Sequence, residues 1–249
     1  MPANRGDLQL TGERTLPGIP SENYWFRRHE AAYLFLLRYV NDLGVLEIGC
    51  GEGYGAELLA GRARRVVAVD YDEAAIAHAG ALYRDAAFLR ANLAALPVRS
   101  GSFDVVASLQ VIEHVWDHPQ FVAECLRAVR PGGRLLITTP NRLTFSPGRD
   151  VAVNPFHTHE FVADELAELL TRSGAEVEDI LGLHAARRLR ELDRIHGGSF
   201  TDAQLARPPD EWSAGLARDV AAVRAADFRV VGQQLSTCLD LVAIARRPG

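Results

Sequence analysis

The stretch VLEIGCGEGYGAELLA, Val45 to Ala60, decides the fold. An apolar run collapses into glycines and reopens with helical spacing, which reads as strand, tight loop and helix. Gly49, Gly51, Gly53 and Gly55 free the backbone for positive φ and for close approach to a ligand, and the helix that follows offers unpaired N–H groups. That pattern suits a nucleotide cradle. A second apolar run, VVAVDYD from Val66 to Asp72, ends in Asp70 about twenty residues beyond the glycines, where an acid can accept both hydroxyls of a ribose. Gly51, Gly53 and Ala56 also satisfy the G-x-G-x-x-A spacing of NAD-binding proteins, so spacing alone does not choose the cofactor.

Glu47 narrows the choice. It stands just before the glycines, where a dinucleotide-binding strand would continue apolar, and a buried charge needs a partner. A ligand with a positive centre, such as the amino-acid end of S-adenosylmethionine (SAM), would supply one. On these residues, Glu47-Ile48-Gly49-Cys50-Gly51-Glu52-Gly53 followed by Val69-Asp70, the chain resembles the class I SAM-dependent methyltransferases. The resemblance implies a Rossmann-like α/β fold, a seven-stranded and mostly parallel sheet with helices on both faces. It also implies SAM-binding roles for Glu47, Gly49, Cys50, Gly51, Gly53 and Asp70.

The chain has 249 residues, 48% of them hydrophobic, enough for one large α/β domain with additions. Its formal charge of −5 disfavours nonspecific binding to a polyanion, so no nucleic-acid partner is expected. Cys50, Cys125 and Cys238 are widely separated, lack zinc-like spacing and suit a reducing cytoplasm. No apolar run reaches the length of a membrane span, and the first residues lack a signal-peptide core. A soluble cytoplasmic protein is expected.

Residues 1–20 carry Gly, Pro and charges without periodicity and read as a flexible lead-in to a single domain over 21–249. Ser21 reads as an N-cap for ENYWFRRHEAAYLFLLRYV, whose apolar residues fall at helical spacing. Tyr24, Arg28 and His29 are acceptor-contact candidates in its first turns; the plainer alternative is a packed helix with solvated arginines. Helices near 55–62 and 73–83 alternate with strands ending at Asp70 and Arg90, which indicates a parallel sheet covered on both faces. Ligands gather at the carboxyl ends of such strands. The resemblance implies that Asn92 contacts the adenine amino group, with Leu93 lending backbone and apolar surface and Tyr71 flanking the ring. Asn92 also fits a simple turn.

The strand in SFDVVASLQVIEHVWD, Ser102 to Asp117, leads to Gln110, Glu113 and His114. By resemblance, Gln110 lies beside the methionine part of SAM. Methyl transfer to a hydroxyl requires the attacking oxygen to lose a proton, and a neutral histidine takes protons near neutral pH. His114, with Glu113, is therefore the catalytic candidate. Related methyltransferases use an E-x-x-E-H segment and a later histidine to hold a divalent cation such as Mg2+. Here Gln110 replaces the first acid and leaves Glu113, His114 and His157 as candidate ligands. A Glu-His pair that merely stabilises the loop is the third alternative.

Beyond a Pro-Gly-Gly turn and a fifth strand, RLTFSPGRDVAVNPFHTHEF is a long polar loop in which Arg142, Arg149, His157 and His159 are candidate acceptor contacts. Asn154-Pro155-Phe156 is similar to the N-P-P-Y/F signature of base-amino methylation, but it lacks the second proline and follows the wrong strand. Residues 184–233 read as a helical insertion before the last strand, either a lid or a homodimer arm. LDLVAIARR then supplies an antiparallel strand at or near a sheet edge. TGERTLPG, ENYWFRRH, QVIEHVWD, TPNRLTFSPGRD and NPFHTHEF together resemble oligosaccharide methyltransferases of the mycofactocin type. That resemblance implies O-methylation of an oligosaccharide or glycosylated small molecule. A quinol or phenolic O-methyltransferase and a noncatalytic SAM-binding module remain the alternatives.

Overall fold

The computed structural model describes Leu8, residues 14–149 and residues 152–249. Most of the lead-in therefore lies outside the described residues. Of its described part, Leu16 is buried and Arg14 forms an ion pair with Asp72.

The chain begins with α1 (Asn23–Leu36), and then alternates β1 (Gly44–Ile48), α2 (Tyr54–Ala60), β2 (Arg65–Asp70), α3 (Glu73–Leu82) and β3 (Ala87–Arg90). The second half runs β4 (Phe103–Leu109), α4 (His118–Ala128), β5 (Val129–Pro140), α5 (Arg142–Phe145), α6 (Ala163–Arg172) and β6 (Glu176–Ala185). The insertion holds α7 (Arg187–Ile195), α8 (Phe200–Leu205), α9 (Ala214–Ala221) and β7 (Phe228–Val231), and β8 (Asp240–Arg246) closes the chain. The strands form one eight-stranded sheet in the order β3-β2-β1-β4-β5-β8-β6-β7. Strands β1 to β5 pair in parallel, while β8 is antiparallel to both β5 and β6.

Two details depart from expectation. The last strand is no edge: β8 lies between β5 and β6, and Asp240–Ala245 are buried, so its continuous apolar run reflects cover on both faces. The strand beyond the expected seven is β7, which pairs with β6 at the sheet margin and comes from the insertion. Among the described residues no helix is long and apolar enough to cross a membrane.

The apolar stripe of α1 packs against the insertion as well as the sheet. Tyr24 meets Phe200 and Phe228 at ring-centroid distances of 5.7 and 5.6 Å. The Asn23 amide donates to the carbonyls of Val220, Ala221 and Val223 at the end of α9. A buried ion pair ties α1 to the sheet: Arg28 Nε and Nη2 donate to Asp240 at 2.7 and 2.6 Å, and Nη2 also donates to Leu239 O. These contacts bring α1 and the insertion together above the carboxyl ends of β4 and β5.

Candidate active site

At the end of β1 the chain turns through Gly49, Gly51 and Gly53, all at positive φ. A Cβ on Gly49 would lie 2.3 Å from Val111 Cγ2, so only glycine fits there. Gly55 differs from the expectation of a left-handed residue. It belongs to α2, and its missing side chain makes room for the Tyr33 ring, 2.2 Å from where a Cβ would sit. The Tyr33 hydroxyl in turn donates to Glu47 Oε1 at 2.6 Å.

Glu47 is fully buried, and its Oε2 has no hydrogen-bond partner among the described residues. Burial pushes this carboxyl up to about 8, with the Tyr33 hydrogen bond acting in the opposite direction. A buried, half-satisfied carboxyl beside a glycine loop fits a cationic ligand group, and the SAM ammonium is such a group. At the end of β2, Asp70 accepts from Gly51 N at 2.8 Å and from Asp72 N at 3.0 Å, one bond on each oxygen. Each oxygen keeps a further lone pair for a ribose hydroxyl. Glu52 braces the loop from behind, accepting from the Tyr83 hydroxyl at 2.9 and 2.8 Å and facing His78 at 3.3 Å.

A small cavity of about 60 Å³ is lined by Gly49, Cys50, Gly51 and Gln110, with Tyr33 and Tyr54. Gln110 has φ 57°, an uncommon conformation for a non-glycine residue, and donates from Nε2 to Thr138 Oγ1 at 3.2 Å. Gly53, Glu47, Asp70, Tyr71, Asn92 and Leu93 do not line this cavity. Tyr71 and Asn92 lie exposed just beyond β2 and β3, and Leu93 is half-buried. Asn92 Oδ1 accepts from Ala94 N at 2.9 Å, the turn role anticipated as its alternative.

Four residues, Arg14, Thr15, His29 and Gln110, line both this cavity and a much larger one of about 700 Å³. Thr15 Oγ1 lies 3.4 Å from His29 Nδ1 and 3.3 Å from the Tyr54 hydroxyl. The larger cavity brings together Tyr24, Arg28, His29, Glu113, His114 and His157 from the sequence candidates. Arg142, Arg149 and His159 lie outside its lining. Arg142 pairs with Glu165, His159 sits 3.4 Å from the same carboxylate, and Arg149 is exposed. Arg28 forms part of the wall, but its Nε and Nη2 are already used by Asp240 and Leu239.

The histidine geometry is specific. His114 Nδ1 lies 3.0 Å from the Phe156 carbonyl oxygen, which can only accept, so Nδ1 carries the proton and Nε2 keeps its lone pair in the neutral ring. Burial holds His114 below the ordinary histidine value. His157 packs edge-on at 4.9 Å between ring centroids. Its Nδ1 meets Glu160 Oε1 at 2.8 Å and its Nε2 meets the Asn154 amide nitrogen at 3.1 Å. Asn154 Oδ1 accepts from Phe156 N, which fixes the amide so that nitrogen faces His157, and both His157 nitrogens are engaged. Glu113 is buried, accepts from Thr139 Oγ1 at 3.0 Å, and is pushed up to about 8 chiefly by that burial.

Ligand atoms of Glu113, His114 and His157 lie within 4.8 Å of one another, so these side chains are spaced to share a cation. The donor set fits one imperfectly, because Asn154 would have to release His157 Nε2.

Several residues had no sequence signal. Tyr33 and Thr15 act through contacts between separate segments, whereas Asn154 and Glu160 bond His157 from three residues away inside one irregular loop that has no periodicity to read. A demand for a partner to buried Glu47 was legible, but not that Tyr33 would be half of the answer.

Comparison with known proteins places the chain in a family. Residues 46–137 match the family model described as a methyltransferase domain. A probable S-adenosylmethionine-dependent methyltransferase of Mycolicibacterium smegmatis is 54% identical over 246 residues, covering 97% of this chain and 96% of that protein. A Mycobacterium tuberculosis protein with the same description is 51% identical over 97% of this chain and 90% of its own. A ubiquinone biosynthesis O-methyltransferase of Pseudomonas aeruginosa is 34% identical over 56% of this chain and 67% of its own. Among solved structures, the methyltransferase in complex with the Haloferax volcanii Trm112 activator has a TM-score of 0.61 at 18% identity, over 89% of this chain and 91% of that one. With residues that fit SAM at the end of β1 and full-length relatives above half identity, the chain belongs to the S-adenosylmethionine-dependent methyltransferases.

Proposed function

We propose that this enzyme is an O-methyltransferase that transfers the methyl group of SAM to a hydroxyl of an oligosaccharide, such as a mycofactocin-type glycan. The observation that carries the proposal is the free Nε2 of His114 in the wall of a 700 Å³ cavity that adjoins the cofactor cavity through Gln110. When bound, SAM supplies an electrophilic methyl carbon. Beside that carbon, His114 Nε2 would take the proton of the acceptor hydroxyl, so that the products would be a methyl ether and S-adenosylhomocysteine. Glu47 holds the SAM ammonium and Asp70 the ribose. Asn92, Leu93 and Tyr71 would face the adenine, a role supported by their places just beyond the carboxyl ends of β2 and β3. Tyr24, His29 and His157 border the acceptor, and residues 184–233 act as a lid over it.

The size of the cavity and its mixed lining support a sugar acceptor. Trp25, Phe145 and Phe156 offer apolar faces, while Thr144, Ser199 and Thr201 offer hydroxyls. A transfer assay with neutral maltooligosaccharides and with catechols separates this reading from a phenolic one, which the likeness to the ubiquinone-pathway enzyme favours. Methylation of catechol alone would reject the oligosaccharide.

A second reading gives Glu113, His114 and His157 to a divalent cation that acidifies the hydroxyl, supported by their close spacing. The metal-free base predicts that turnover in metal-free buffer is unchanged by EDTA. Loss of turnover, restored by Mg2+, would instead favour the cation.

Two further outcomes follow from the cofactor side. Asp70→Ala should weaken SAM binding by about 1.5–3 kcal/mol, the cost of losing hydrogen bonds to a charged group, measured by calorimetry. Glu47 gives a pH signature. Its carboxyl is raised to about 8, so it is largely protonated in the free protein at neutral pH. A bound ammonium favours the ionised form and lowers that value, so SAM binding should release a proton near pH 7. Calorimetry in buffers of different ionisation enthalpy reads this directly, and Glu47→Gln should abolish it.

A further inference from the structure

We infer that the acceptor cavity selects a substrate with no negative charge on the part that enters, and that Glu22, Asp193 and Asp202 set this selection. The inference rests on the acceptor reading above and narrows it. The charges on the wall are unbalanced. Two arginines line the cavity, and each is neutralised by a carboxylate outside the lining, Arg14 by Asp72 and Arg28 by Asp240. Burial holds His29 at about 4, so it is neutral at pH 7, and His114 spends its Nδ1–H on the Phe156 carbonyl. His157 is paired with Glu160.

Against these, Glu22 precedes α1, Asp193 ends α7 and Asp202 lies on α8, and all three line the cavity. None of the three makes an ion pair among the described residues. One Asp193 oxygen accepts from Phe200 N at 2.9 Å, which leaves its charge uncompensated. Cations of the adjoining segments do not enter the lining: Arg190 turns to Ala185 O at 2.7 Å, and Arg149 and Arg207 lie outside it.

An entering phosphate or carboxylate would therefore lose water, face unpaired carboxylates and find, among the described residues, no free guanidinium in the lining to receive it. A sugar hydroxyl meets the opposite situation, because a carboxylate is a strong acceptor for O–H donors. Half-buried Trp25 and Phe145, with ring centroids 6.4 Å apart, add apolar surface for the ring C–H groups.

Trp25 also reports on the cavity without any knowledge of the acceptor. In the Trp116→Phe/Trp212→Phe protein, its fluorescence is quenched with iodide, cesium and acrylamide at low, fixed ionic strength, each normalised to free N-acetyltryptophanamide. Normalised iodide quenching should fall at least about threefold below that of cesium, as expected for a negative cleft. The gap should close in the background carrying Glu22→Gln, Asp193→Asn and Asp202→Asn. Iodide and cesium quenching equally, or a gap that the triple variant leaves intact, would overturn the inference. Should the double tryptophan variant fail to fold, the difference between Trp116→Phe and Trp25→Phe/Trp116→Phe isolates the same signal.

A second arm compares a neutral maltooligosaccharide with one ending in glucuronic acid. The acid should show kcat/KM at least about tenfold lower, with the loss reduced in the triple variant. Equal rates would overturn the selection. A clear quenching gap with no sugar methylated would support the selection and refute the oligosaccharide, so the two failures are distinguishable.

Discussion

His114→Ala lowers kcat by about 10²-fold or more and leaves SAM affinity within about twofold, the range expected for loss of a positioned general base. The expectation follows from tautomer geometry. The Phe156 carbonyl accepts a hydrogen bond from Nδ1–H, which leaves Nε2 as the basic nitrogen. His157 cannot substitute in the same state, since Glu160 and Asn154 occupy both of its nitrogens. The pH dependence follows with a definite sign. Burial lowers the His114 value beneath its ordinary 6.5, so the base is already free at neutral pH and activity falls only as acid protonates it below that value. The wild-type profile should therefore have an acid limb below pH 6.5 that the alanine variant lacks. A variant with full turnover and the same acid limb would move the base elsewhere.

Asp240→Ala destabilises the protein by about 3–5 kcal/mol, because it leaves the Arg28 guanidinium buried without its counter-charge. Burial alone disfavours the charged arginine, and Asp240 more than restores it, so the net direction for Arg28 is upward. The pair is 4% and 1% exposed, which removes the solvent screening that makes surface bridges weak. For a chain of this size the loss corresponds to a fall in Tm of roughly 6–20 °C. Replacing both partners with apolar residues of similar volume should recover much of it, since no orphaned charge remains. Thermal unfolding that barely changes in the single variant would mean that water reaches Arg28. The pair matters for function because it joins α1, which carries Tyr24, Trp25 and His29 into the acceptor wall, to β8 of the sheet.

Much of the fold was legible from local patterns. The glycine loop, the alternation of strand and helix and the Pro-Gly-Gly turn each write their structure in a few adjacent residues. The strand at Ala87–Arg90 falls where its short apolar run placed it. What could not be read was register between distant segments. The last strand was expected near an edge from its antiparallel character, yet pairing on both sides puts it inside the sheet. Gly55 was grouped with the glycines that free the backbone, but its reason is the Tyr33 ring from a different helix.

The site divides along the same line. Glu47 was singled out as an acid in an apolar strand, and its burial with one unpartnered oxygen follows from that position. His157 lies 43 residues beyond His114 and nevertheless converges with Glu113 and His114, because Thr158 Oγ1 donates to Glu113 O and Val115 O, joining the two segments. Arg142, Arg149 and His159 belong to the same polar segment but lie outside the cavity lining, Arg142 and His159 facing Glu165 instead. Composition could not separate them. Only the hydrogen bonds that close the loop decide which side chains face inward.

Methyl transfer to a sugar hydroxyl can be read by following the methyl group itself. The protein is incubated with methyl-labelled SAM and a neutral oligosaccharide, and the product is analysed by carbon NMR and mass spectrometry. One labelled methoxy group on a sugar ring and an equal amount of S-adenosylhomocysteine are expected. Label found on nitrogen or on a phenolic oxygen, with the sugar unmodified, would contradict it.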